Sequence, residues 1–397
     1  MTFRGGLETS VGDRRYEAST TTLSADAGFA GGYYRQINTT GPATTVPVEF
    51  NASYTPGVGG GLIVRGEIRI TSGAVWAPGV TTAQFRICPS GMSSSIQEGD
   101  VGMLINGAQQ VQPFAYIGGN FYYTAAASYG PTALTDDVIY PMEMKVEVVS
   151  TTQLKISVRM RISGTWTLLG SETLTAGTGW ATQAWSTAFY GGAFASKGGT
   201  GIYDCGGLAV CSLEGAVPND WFSDLNGWKS ELIRPNADVA GEAGWLTGGG
   251  ATGTYTEWDD AVGAYSTADY NHAGTGAGAE TQASDFAATS GTLLSTDTVV
   301  AVTVGGAYDS GASWGGNVSI VSDDGTEDAQ TPSDLVGRFA QRHFLAGGSG
   351  PWTKSSVDGA NFKLRTAANA TDYRCEAFFA YVWSYTPAAS TRRIFLC

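Results

Sequence analysis

Apolar and charged side chains alternate with a period of two along several stretches of this chain. That period admits little other than β-strand. Between Leu62 and Ile70, the apolar positions Leu62, Val64, Ile68 and Ile70 are interleaved with Arg65, Glu67 and Arg69. Met142, Met144, Val146 and Val148 alternate with Glu143, Lys145 and Glu147. After the polar turn Ser150-Thr-Thr-Gln153, Leu154, Ile156, Val158, Met160 and Ile162 alternate with Lys155, Arg159 and Arg161. The last two runs predict a long antiparallel hairpin, one face on a core and one in water, closed by Gly164-Thr-Trp166.

The second half repeats the style. Val299–Val304, Asn317–Ser322, Phe362–Thr366 and the aromatic run Ala377–Tyr385 read as strands, and Ser333–Leu345 reads as a short helix carrying Leu335, Phe339 and Phe344. The 56 glycines supply turns, and an aromatic content of 11% supplies core volume. A length of 397 residues exceeds one ordinary core. The expected architecture is all-β, with two antiparallel β-sandwich domains of jelly-roll type, 1–215 and 216–397. The boundary is placed near Glu214–Pro218, where the strand Gly207–Cys211 ends and Trp221 opens new aromatic content. No heptads or collagen-like tract occur, so no thin fibrous shaft is built from this chain.

The net charge is −14. Residues 1–215 hold 12 Lys/Arg against 15 Asp/Glu (−3), and 216–397 hold 10 against 21 (−11). Such a surface repels phosphate backbones and speaks against a nucleic-acid partner. No apolar run is long enough to span a bilayer and the N-terminus lacks a signal-like stretch, so membrane insertion and export are not expected. The cysteines Cys88, Cys205, Cys211, Cys375 and Cys397 form no CxxC pair or Cys/His cluster. They are expected as buried reduced thiols, with a Cys205–Cys211 bridge left open.

The hairpin around Met142–Trp166 and the strand Gly207–Cys211 resemble the concanavalin-like (laminin-G-like) jelly roll. In the second half, Asn226-Gly-Trp228, Trp258-Asp-Asp260, Tyr270, Val299–Val304, Pro351-Trp-Thr353, Asp358-Gly359, Phe362-Lys-Leu-Arg365 and Phe378–Tyr385 follow one another. This order resembles a sandwich module of tailed-bacteriophage structural proteins, most closely in Trp352-Thr353, the five-residue gap and Gly359-x-x-Phe362. It departs from that pattern in Gly350-Pro351 and in its Tyr-rich last strand. The resemblance implies a virion component, tail- or fibre-associated, assembled in the host cytoplasm and contacting other virion proteins, copies of itself and the host surface. The alternatives are a capsid-decoration or head-fibre protein, and a module that binds host glycan.

Several local patterns invite chemistry. Gly311-Ala-Ser313-Trp-Gly315 spells a nucleophile elbow, but its flanks are strand-like and the only histidines are His272 and His343, so a turn is favoured. Glycan hydrolysis needs opposed carboxylates; Glu98-Gly-Asp100 is the nearest fragment, and no Glu-x-Asp-x-x-Glu strand occurs. Asp323-Asp-Gly-Thr-Glu-Asp328 and Asp259-Asp260 read as turns before cation sites. Tyr33-Tyr34, Phe121-Tyr-Tyr123, Trp180, Trp185, Trp245 and Trp258 lie in or near Gly-rich stretches, where rings can stack on sugars or fill a core. The sequence thus assigns no catalytic, cofactor-binding or metal residues, and the expectation is a non-enzymatic protein. The apolar Ile394-Phe-Leu-Cys397 marks a subunit contact.

Overall fold

The computed structural model describes residues 2–7, 21–26, 28–29, 33–38, 44–71, 82–89, 96–105, 108–123, 133–175, 177–191, 202–214, 221–225, 227–258, 270–273, 281–286, 292–308, 316–321, 325–330, 333–334, 339–347, 350–366 and 374–387. Within them lie four sheets whose strand pairs are antiparallel. The eight-stranded sheet runs Thr165–Thr175, Gln153–Ile162, Ile139–Ser150, Gly61–Ile70, Ile202–Ser212, Tyr33–Asn38 and Thr21–Ala25, with Thr2–Leu7 also paired to Ile202–Ser212. It faces a six-stranded sheet ordered Thr44–Tyr54, Trp185–Gly191, Thr82–Cys88, Val101–Ile105, Val111–Ile117 and Asn120–Tyr123.

The seven-stranded sheet is built around Arg374–Tyr385, flanked by Thr298–Tyr308 and Lys229–Ile233. The five-stranded sheet runs Pro235–Ala243, Thr281–Phe286, Asn361–Thr366, Gly316–Val321 and Glu327–Gln330. The all-β sandwich class read from the sequence is what the chain adopts.

The alternation does the expected work inside the first pair of sheets. Met142 pairs with Met160, Met144 with Val158, Val146 with Ile156 and Val148 with Leu154, and all eight are buried. Each such side chain contributes roughly 1.5–3 kcal/mol on burial. Past Gly164 the chain adds a third strand, Thr165–Thr175, rather than ending the sheet.

The middle of the opposite face of that hairpin is covered, which corrects the expectation there, while Lys155 and Arg161 keep solvent contact. Glu143 is 0% exposed, Lys145 7% and Ser157 3%. The chain leaving this sheet lays Trp221 against the hairpin, its ring 5.1 Å from Lys145 Nζ and 4.5 Å from Arg159 Cζ. Ser223 donates to Glu143 at 2.9 Å, and Arg159 pairs with Asp224 at 2.6 Å. Desolvation pushes the Glu143 carboxyl up to about 7, against the pull of Arg65 and the Ser223 hydroxyl.

Ser333–Leu345 is not a helix. Its described parts are the strands Ser333–Asp334 and Phe339–Phe344, the latter paired with Thr298–Tyr308. Long-range pairing here outweighs a three-residue helical spacing. The α-helix of the described residues is Lys354–Asp358, and it explains the Trp-Thr-gap-Gly-x-x-Phe spacing. Trp352 is buried and donates from Nε1 to the Phe344 carbonyl at 3.0 Å. Thr353 caps the helix, taking the Ser356 amide on its hydroxyl at 3.1 Å. Gly359 ends it, and Phe362 enters the core, edge-on to Phe286 at 4.4 Å.

The seven-stranded sheet packs on both faces. One side of Arg374–Tyr385 sends Phe378, Ala380 and Val382 into a core shared with Val318, Phe362 and Leu364. The other sends Phe379, Tyr381 and Trp383 into the core that also holds Phe3, Val48 and Met144. At this seam the Trp383 ring lies 5.4 Å from Phe3. Gly6 lies so close that an added Cβ would stand 2.4 Å from Trp383 Cζ2. The Asn51 side chain hydrogen-bonds both backbone polar groups of His343, and Arg342 donates to the Asn51 carbonyl at 2.9 Å.

Cys88, Cys205, Cys211 and Cys375 are buried thiols that form no disulfide. Cys205 and Cys211 share the strand Ile202–Ser212, about 20 Å apart at ~3.3 Å per residue, far beyond the reach of a disulfide.

Candidate functional site

The aromatic candidates separate sharply by burial. Trp180, Trp185, Trp245 and Trp258 are all 0% exposed. All four are core pieces, and Trp185 donates to the Gly99 carbonyl at 3.0 Å and Trp258 to the Ser284 hydroxyl at 3.1 Å. Tyr33 and Tyr34 lie on a strand whose side chains fall outside the described set. Phe121 and Tyr123 are 37% and 44% exposed. Among the described residues they are the only aromatic members of the exposed large apolar set; the others are Val, Leu and Ile side chains.

Their exposure follows from topology. Asn120–Tyr123 is the edge strand of the six-stranded sheet, launched by the turn Gly118-Gly119 with φ of 62° and 72°. Only glycine adopts two such values in succession without strain. The Glu98 carboxylate accepts the amides of both glycines, the Gly119 one at 3.2 Å, and fixes the turn. Period-two alternation then points Tyr122 toward the sandwich core and Phe121 and Tyr123 to the outer face.

On that face the rings form a graded layer. Leu104 and Phe114 are fully buried with Ile96 against them. Tyr116 packs on Phe121 at 4.6 Å between centroids. Phe121 and Tyr123 lie 5.6 Å apart with planes 10° from parallel. Partial burial raises the Tyr123 phenol above its ordinary range, so it remains a neutral donor and acceptor at physiological pH. Nearly parallel rings with hydroxyl and amide groups at their margin are of a kind that can meet the apolar faces and hydroxyls of pyranoses.

The other sequence candidates go elsewhere. Asp100 is fully buried opposite Arg86 at 3.5 Å and accepts the Gln97 amide, so Glu98 and Asp100 are structural rather than an opposed pair. Ser313, Asp259, Asp260, Asp323, Asp324 and Ile394–Cys397 lie outside the described residues. The strands flanking the Asp323 segment, Gly316–Val321 and Glu327–Gln330, pair as a hairpin, with Gly325 at φ 81°. Among the described residues no group of three His, Cys, Asp or Glu could hold a metal ion. No described helix is long and apolar enough to cross a membrane. An apolar cavity of about 330 Å³ opens beside Leu134, Tyr140, Met160 and Leu169, but none of its described lining residues is charged.

No protein-family model and no curated protein matches this sequence. Solved structures do match, each over about half of the chain. An alginate lyase from Aplysia kurodai aligns at 8% identity over 53% of this chain and 99% of its own, with a TM-score of 0.39. A carbohydrate esterase from the Shiga toxin-encoding bacteriophage phi24B aligns at 14% over 52% and 95%, TM-score 0.30. Arcelin-5, a lectin-like defence protein of Phaseolus vulgaris, aligns at 9% over 52% and 97%, TM-score 0.29. The likeness is one of jelly-roll, concanavalin-like sandwich folds, and the identities are too low to carry residue roles. It also corrects the expectation of a non-enzymatic chain. Sandwiches of this kind include lyases and an esterase, so the fold gives no ground for a non-enzymatic reading.

Proposed function

We propose that this chain is a surface component of a bacteriophage virion, tail- or fibre-associated, that engages host polysaccharide through Phe121 and Tyr123. The observation that carries the saccharide reading is the exposed, nearly parallel ring pair on an edge strand, backed by a rigid aromatic layer. Flat rings gain binding energy on sugars because ordering them costs little entropy and their faces meet axial C–H groups. The virion placement rests on the second-half sequence pattern, whose Trp352, Thr353, Gly359 and Phe362 each occupy a structural post.

Two measurements test this reading. Glycan-array binding by the wild-type chain, lost in Phe121→Ala and Tyr123→Ala, supports it; binding unchanged in both variants sinks the saccharide part. Cryo-EM of intact particles, with proteomics of purified virions, places the chain on tail, fibre or capsid, and its absence from virions sinks the rest. Assaying reducing-end release and unsaturated products on each bound glycan separates recognition from cleavage.

A further inference from the structure

We infer that the Phe121–Tyr123 face takes an uncharged hexose polymer and discriminates against polyuronates, an inference that rests on the saccharide reading above. The first ground is the sequence that builds the face. Between Arg86 and Lys145 there is no Lys, Arg or His. That stretch supplies the strands Val101–Ile105, Val111–Ile117 and Asn120–Tyr123 and every connection between them. The half of the sheet that carries the rings is therefore made without a single base.

The second ground is what the nearest charges are doing. Arg86, on the adjoining strand Thr82–Cys88, is 0% exposed and faces the equally buried Asp100, so its charge is committed within the protein. The exposed charge at the ring margin is Glu98, whose carboxylate is tied to the Gly118 and Gly119 amides directly before the strand. A polyuronate places one carboxylate on every sugar. Against this face each would meet the Glu98 anion and no cation from the stretch 87–144, on a half of the chain that is itself net acidic. Neutral hydroxyls meet no such penalty, and the exposed Asn120 amide and the Tyr123 phenol are groups of the right polarity for them.

The test is affinity electrophoresis and calorimetry of the full chain with two size-matched panels. One holds neutral polymers (β-glucan, galactan, dextran, mannan), the other alginate and polyglucuronate, each at low and high salt. At least one neutral polymer is expected to bind, with affinity nearly independent of salt and falling at least about tenfold in Phe121→Ala. Polyuronates are expected to bind at least about tenfold more weakly at low salt. Asn120→Lys, which sets a cation beside the rings, should narrow that gap. Polyuronate binding as tight as neutral binding, and lost in Phe121→Ala, overturns the inference while leaving the saccharide reading intact. Binding of no polymer in either panel, or binding indifferent to Phe121→Ala, overturns the saccharide reading itself.

Discussion

His343 Nε2 lies 3.2 Å from the backbone carbonyl of Glu49, a residue almost three hundred positions earlier in the chain. A carbonyl only accepts, so the ring donates there and accepts at Nδ1 from the Thr303 hydroxyl, 2.8 Å away. Thr303 in turn accepts from Trp383 Nε1 at 2.9 Å. The ring is thus fixed as one neutral tautomer inside the seam. Desolvation holds its pKa down to about 3 from an ordinary 6.5.

The pH dependence of stability follows from that depression. Between about 6.5 and 3 the unfolded chain binds a proton at His343 that the folded chain refuses, so this residue's contribution is intact above 6.5 and declines as pH falls. His343→Gln should be less stable than wild type at pH 8, by about 2 kcal/mol for the misplaced polar partners. The difference should shrink on acidification, which paired thermal melts at several pH values will show.

Glu143 titrates in the opposite sense. Its folded pKa of about 7 stands above the ordinary 4.5, so the folded state holds a proton that the unfolded state has released, and stability falls as pH rises through this window. Glu143→Gln keeps an acceptor for Ser223 without the buried charge. It should match wild type near pH 5 and exceed it by roughly 1–3 kcal/mol above pH 8, read from chemical denaturation midpoints.

Gly6→Ala is expected to be costly although it adds one methyl group. The new carbon would overlap the Trp383 indole, itself 2% exposed and unable to retreat without disturbing Phe3 and Thr303. Overpacking of this kind costs about 1–3 kcal/mol. A lowered melting temperature, with quenching or shift of tryptophan emission, is the expected readout.

Thr353→Ala removes the capping box of Lys354–Asp358 and should destabilise by about 1 kcal/mol, whereas Thr353→Ser should be nearly neutral. Equilibrium unfolding of the two variants distinguishes loss of the hydroxyl from loss of the methyl.

Much of the sandwich was legible because alternation is a local signal: Gly61–Ile70, Ile139–Ser150 and Gln153–Ile162 each contain a predicted run. The polar row Glu143, Lys145 read as solvated because nothing local reveals that Trp221, far downstream, lands on it. Phe339–Phe344 read as helical because its partner Thr298–Tyr308 also lies outside any local window of sequence. The ring pair was nameable but not separable from Trp180, Trp185, Trp245 and Trp258, which sit in similar Gly-rich settings. What separates them is that, among the described residues, Asn120–Tyr123 has a neighbouring strand on one side only. Edge position is a property of the sheet as a whole and leaves no mark on the strand's own residues.

The strand Arg374–Tyr385 buries alternate residues in two different cores, so among the described residues one strand ties the two cores together. A pull applied at one end of the molecule is carried through Phe379, Tyr381 and Trp383 as through a solid beam. The expected signature in single-molecule pulling is one rupture event rather than two.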